Sequence, residues 1–226
     1  AAIAPSSIGD ASWLQRRFPL MAVLTLMAAV RPEMGLKRRR ELLLAAILIT
    51  ALCIRAGWIT NIWIERQSDI RSLYAAAKNV PAGSLILPIL QVPANPKEVP
   101  LGRIIVGCPY SKFEPVERHF PSLLVIKNQV FIPTLFSIHG QHALKVLPPW
   151  DEISVGSSGV PSMYEFLRPN EITLKTDPYL LHWRSRFDYV LVLNTDLQAH
   201  DITSRVPEGL KLEKDAGYAT LYRVIR

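Results

Sequence analysis

Leu42-Leu-Leu-Ala-Ala-Ile-Leu-Ile-Thr-Ala-Leu-Cys-Ile-Arg-Ala-Gly-Trp-Ile-Thr-Asn-Ile-Trp-Ile64 is the stretch around which the rest of the sequence is organised. At about 1.5 Å of rise per residue it reaches roughly 34 Å as a helix, enough to cross a hydrocarbon core of about 30 Å. Arg55 is its one charge. A charge at mid-membrane costs about 3 kcal/mol on insertion scales, but Arg55 lies past the middle, where a long side chain snorkels or faces another helix. Trp58 and Trp63 suit the interface at its exit. The competing reading is a buried core helix of a soluble protein, and the flanking charges favour the membrane.

Upstream, Arg16-Arg17 lead into Phe18–Val30, an uncharged run that reaches only about 20 Å as a helix. A signal-peptide core, an interfacial or re-entrant helix and a short span starting near Trp13 compete for it; the short span is preferred, with the interfacial helix next. Between the apolar runs lie Arg31, Lys37, Arg38, Arg39 and Arg40. Short loops rich in Lys and Arg stay on the cytoplasmic side, so the 42–64 helix is expected to run outward. The expected division is a membrane region over 1–66, with apolar segments 18–30 and 42–64, and an extracytoplasmic mixed α/β domain over 67–226. In a bacterial cell this puts the chain in the inner membrane with its C-terminal domain outside the cytoplasm. Ala1 in place of an initiator Met suggests a fragment or a processed product.

Charge and cysteines narrow the function classes. The net charge is +7, and residues 1–41 carry +4 of it, so the excess sits largely beside the expected membrane segments. No basic stripe interleaved with aromatics follows, which argues against a nucleic-acid partner and for the lipid bilayer. Cys53 and Cys108 read as two free thiols, because a bridge between them would draw the domain into the bilayer. No C-x-x-C, Walker-type loop, G-x-G-x-x-G or H-E-x-x-H occurs, so no cofactor or metal is expected.

Past Glu65, Gln67–Val80 places Ile70, Leu73, Tyr74 and Ala77 at helical spacing and stops at Pro81-Ala-Gly83. β-like runs are expected at 84–90, 103–106, 123–126 with 130–132, 144–147 and 189–193, and helical pieces at 115–120, 162–167 and 178–186. That alternation predicts an α/β domain. Leu210–Ile225 predicts a β-hairpin turning at Asp215-Ala-Gly217.

Chemistry-bearing residues are sparse. His139 and His142 form H-x-x-H, which needs a helix and a third ligand to hold a metal; Gly140 and Pro133 argue for a loop. His119 has the chemistry of a general base but the position of a structural residue at a helix end. Asp188 precedes a buried-type strand and suits a cap or turn as well as a ligand. Gly156-Ser-Ser-Gly159 is a flexible loop without the Lys that a phosphate cradle needs.

The basic loop, the outward span and the amphipathic helix are followed by Pro81-Ala-Gly-Ser-Leu-Ile-Leu87, His119-Phe-Pro-Ser-Leu-Leu-Val-Ile126 and Phe187-Asp-Tyr-Val-Leu-Val-Leu193. Together they resemble the C-terminal end of bacterial polytopic membrane glycosyltransferases of the GT-C, dolichyl-phosphate-mannose transferase-like class, over roughly residues 12–226. The resemblance implies a polyprenyl-phosphate sugar donor and a glycan acceptor as partners. It also implies catalytic acids in an early outer loop between N-terminal spans. No position here matches that loop, so no catalytic residue is carried over, and the resemblance makes this the non-catalytic part of such an enzyme. The alternative is a membrane-anchored extracytoplasmic binding or interaction domain without a reaction of its own.

Overall fold

The computed structural model describes residues 7–8, 11–12, 38–91, 116–135, 137, 144–156, 159–198 and 206–226. The chain divides into two compact units, 1–59 with 139–143 and 60–138 with 144–226. In the first unit, β1 (Ser7–Ile8) and β2 (Ala11–Ser12) pair antiparallel.

Helix α1 is continuous from Arg38 to Ala76; residues up to Ile59 belong to the first unit and those from Thr60 to the second. Of the expected amphipathic helix at 67–80, the part up to Ala76 is the end of the same helix and 77–79 form a turn. No proline interrupts 38–80, and Glu65-Arg66-Gln67 are good helix formers, so polar sequence alone does not break the ladder. Every residue from Ala45 to Asn61 is exposed. Among the described residues, α1 is the helix long and apolar enough to cross a membrane, and none of its most apolar window is buried. The buried-core reading of 42–64 is therefore not what the fold displays. Beyond Ile64 the helix becomes part of a core. Arg66 Nη1 meets Asp69 Oδ2 at 2.8 Å, with Asp69 1% and Arg66 8% exposed, and Leu73, Ala76 and Ala77 are buried.

The second unit is built on a mixed four-stranded sheet in the order β3-β4-β6-β5, with β3 Ile86–Leu90, β4 Tyr189–Leu193, β5 Leu210–Asp215 and β6 Ala219–Val224. β3 and β4 run parallel, while β4 with β6 and β6 with β5 are antiparallel. β3 and β4 are buried throughout, and the continuous apolar runs that code for them are those of strands covered on both faces. Alternation divides their side chains. Ile86, Leu90, Tyr189, Leu191 and Leu193 join Leu73, Ala77, Phe120 and Leu124 on one face. Leu87, Ile89, Val190 and Val192 join Met163, Phe166, Tyr179, Leu180 and Phe187 on the other.

Leu123–Ile126, expected as β-like, lies in helix α2 (Leu123–Asn128), which follows a 3-10 helix at Val116–Ser122. The preceding turn carries straight into Leu123, Leu124 faces the core, and Gln129 ends the helix in the left-handed region at φ 55°. Local turn chemistry here overrides the β preference of Val125 and Ile126. Of 130–132, Phe131 alone bridges, parallel to Leu85, and 144–147 is not a strand. The expected run at 103–106 lies outside the described residues. Helix α3 (Met163–Leu167) forms where expected, set by a capping box in which Ser162 and Glu165 bond each other's backbone N–H. Helix α4 (Glu171–Thr176) was not foreseen; Asn170 caps it by accepting the Thr173 N–H at 2.8 Å. The expected helical piece at 178–186 is a 3-10 turn at Pro178–His182 running into α5 (Trp183–Arg186).

Candidate functional site

The polar residues singled out in the sequence fall on separate elements or outside the described residues. His119 is exposed in the 3-10 helix before α2. His139, His142, Cys108 and the Ser157-Ser158 pair of the glycine loop lie outside the described residues. Cys53 is a free, exposed thiol on α1. Among the described residues no three His, Cys, Asp or Glu side chains stand together as a metal site.

Asp188 is engaged on both carboxylate oxygens. Its Oδ2 accepts the Leu85 N–H at 3.0 Å, while its own N–H donates to Leu85 O at 2.9 Å. Arg226 Nη2 donates to Asp188 Oδ1 at 3.1 Å and to Phe187 O at 3.3 Å. The residue thus fastens the start of β4 to the start of β3 and to the chain's last residue, as a turn carboxylate does.

Among the described residues, clefts open on both faces of the sheet beside β5 and β6. The first, of about 340 Å³, lies between the end of α1 and the hairpin and is bordered by Lys78, Asn79, Tyr189, Glu213, Lys214 and Arg223. Sheet register explains the grouping. Arg223 of β6 is directly opposite Tyr189 of β4 on one side and Lys211 of β5 on the other. Opposite residues share a face. A bulge between Leu212 and Lys214 adds one residue to β5, so Lys214 comes opposite Leu221 and its side chain joins this face. Arg223 Nε donates to Glu213 Oε1 at 2.7 Å, and the guanidinium lies 5.9 Å from the Tyr189 ring centroid.

The second cleft, of about 300 Å³, opens where β3 and β4 end, between Gln91, Met163, Thr195, Asp215, Thr220 and Tyr222. The carboxyl ends of parallel strands are a common ligand position in α/β sheets. Thr220 Oγ1 lies 2.8 Å from Thr195 Oγ1 and 3.1 Å from Asp215 Oδ1, and Asp215 Oδ1 also accepts the Gly217 N–H at 3.0 Å. Burial, and secondarily the Asp215 carboxylate, hold the Tyr222 phenol above its ordinary pKa of 10.0. Asn194, directly after β4, adopts φ 62° and is fully buried, and among the described residues neither amide atom meets a hydrogen-bond partner. Asn tolerates that backbone better than most residues, but a buried unpaired amide is costly.

Neither cleft is evident from the sequence. Lys78, Tyr189 and the hairpin that carries Lys214 and Arg223 are far apart in the chain, and the bulge that brings Lys214 to the shared face reverses the simple alternation of β5. The Asp215-x-Gly217 turn was the one usable signal for the second cleft. No family model, curated protein or solved structure matches the chain.

Proposed function

We propose that the chain is a membrane-anchored protein whose α/β domain lies outside the cytoplasm, where it serves as the non-catalytic C-terminal part of a membrane glycosyltransferase that uses a lipid-linked sugar donor. The observation that carries the anchoring is the twofold character of α1. Its apolar segment is exposed from Ala45 to Asn61, whereas Leu73 and Ala76 of the same helix belong to the core beneath the sheet. Exposed Leu48, Leu52 and Ile54 suit hydrocarbon far better than water. The outward direction follows from the basic residues at 31 and 37–40. The link to lipid-linked sugar transfer rests on the resemblance of the three quoted segments.

In this reading the domain contributes binding surface, and a glycan acceptor is the partner it faces. Sugar transfer needs a positioned acid or base and a means of stabilising the departing phosphate. Asp188 is engaged in holding β3, β4 and the C-terminus together, which suits a structural role.

The experiment is an assay of the whole chain in lipid nanodiscs with polyprenyl-phosphate sugars and mixed glycan acceptors, beside a variant in which His119, His139, His142 and Asp188 are Ala. No turnover by either protein is expected. Turnover by the wild type that is lost in the variant would place the chemistry in this chain and overturn the non-catalytic reading.

A further inference from the structure

The first cleft has a composition that membrane anchoring does not require. Among the described residues, Lys78, Lys214 and Arg223 border it against one acid, Glu213, and Lys211 stands on the same face opposite Arg223. Glu213 is already committed to Arg223 Nε, which fixes the guanidinium's direction and leaves its two terminal nitrogens to donate elsewhere. The end of α1 presents carbonyls that would repel an anion. The carbonyl just past that end is occupied: Ala77 O accepts a hydrogen bond from Asn128 Nδ2 at 2.9 Å and from the Val80 N–H at 3.1 Å. Val80, Tyr189 and Leu221 form an apolar floor.

Lysines on an exposed edge strand have a simpler purpose, since they block edge-to-edge aggregation. That purpose covers Lys211 and Lys214 of β5. It does not cover Lys78, which belongs to the turn after α1, nor Arg223, which is on the inner strand β6. Nor does it call for a concave site between them. A planar guanidinium fork with two point charges is the donor set that recognises a phosphate group.

We propose that this cleft binds a phosphomonoester, with Lys78, Lys214 and the Arg223 fork on the phosphate and the organic part resting on Val80, Tyr189 and Leu221. The site does not depend on the glycosyltransferase reading and holds for the α/β domain whatever larger assembly it serves.

The test is calorimetric titration of the whole chain, in nanodiscs of zwitterionic phosphatidylcholine, with inorganic phosphate, against chloride at matched ionic strength. Saturable phosphate binding is expected, weakened by about tenfold or more in the Lys78→Gln/Lys214→Gln double variant, because two of the three cationic donors to the phosphate are lost. Arg223→Lys, which keeps the charge but loses the fork, should also weaken it, while Lys175→Gln on α4 should not. The Lys substitutions fall at exposed positions, so the fold is expected to survive them. Phosphate binding that is absent, no stronger than that of chloride, or unchanged in the double variant would overturn the proposal.

Discussion

Ser72 of helix α1 and Ala219 of strand β6 are joined directly: the Ser72 hydroxyl accepts the Ala219 N–H at 3.2 Å while donating to the carbonyl of Ala216 in the same hairpin turn. One small side chain on the helix thus satisfies both a donor and an acceptor of a tight turn whose Gly217 has φ 85°. The end of the long helix is thereby part of the sheet's framework.

Ser72→Ala should therefore destabilise the domain by about 1–2 kcal/mol, the cost of leaving a partly buried backbone donor and acceptor without their partner. Denaturant unfolding of the full chain in detergent, followed by tryptophan fluorescence, measures it. An unchanged midpoint would mean that water replaces the hydroxyl at no cost.

Asp188→Ala removes the acceptor for Leu85 N–H and the anion facing Arg226, and an effect of about 1 kcal/mol is expected, because the site is partly open to water. Arg226→Gln should give a smaller loss, since it spares the Leu85 bond. The reverse order would make the ion pair, and not the strand-to-strand bond, the more important contact.

Tyr222 gives the domain an alkaline limb. Its folded pKa is raised, so the folded state binds the proton more tightly than the unfolded chain does, and stability falls where the unfolded chain has already lost it. This contribution is complete below pH 10.0 and is lost as the pH rises through the folded pKa of Tyr222. A tyrosinate absorbance titration of the wild type minus Tyr222→Phe isolates the group. Asp215→Asn should lower its pKa by removing the lesser of the two causes, and an unmoved or rising value would contradict the assignment.

How far these features can be read from the sequence depends on how local their causes are. β3 and β4 are legible as apolar runs, α3 through its Ser162/Glu165 box, and the terminal hairpin through Asp215-Ala-Gly217. Leu123–Ile126 misleads because a run of apolar and β-branched residues fits a buried helix as well as a strand, and the turn before it decides. The helical run from 42–64 into 67–76 looks like two elements because burial changes along it, although the backbone ladder does not. The clefts depend on cross-strand register and on one bulge, both tertiary facts. Asp188 was visible as a polar residue at a strand start, but its partners, Leu85 and Arg226, are supplied by the fold.

The central claim, an α1 that anchors the chain with its α/β domain outside the cytoplasm, is tested most directly by labelling one cysteine on that domain. Ile126 on α2 is 84% exposed, and Ile126→Cys in a Cys53→Ser/Cys108→Ser background provides a single thiol. In intact cells of a bacterial host, a membrane-impermeant maleimide is predicted to label it fully, with the chain retained in the membrane fraction after alkaline carbonate. Labelling only after the cells are permeabilised, or release of the chain by carbonate, would contradict the claim.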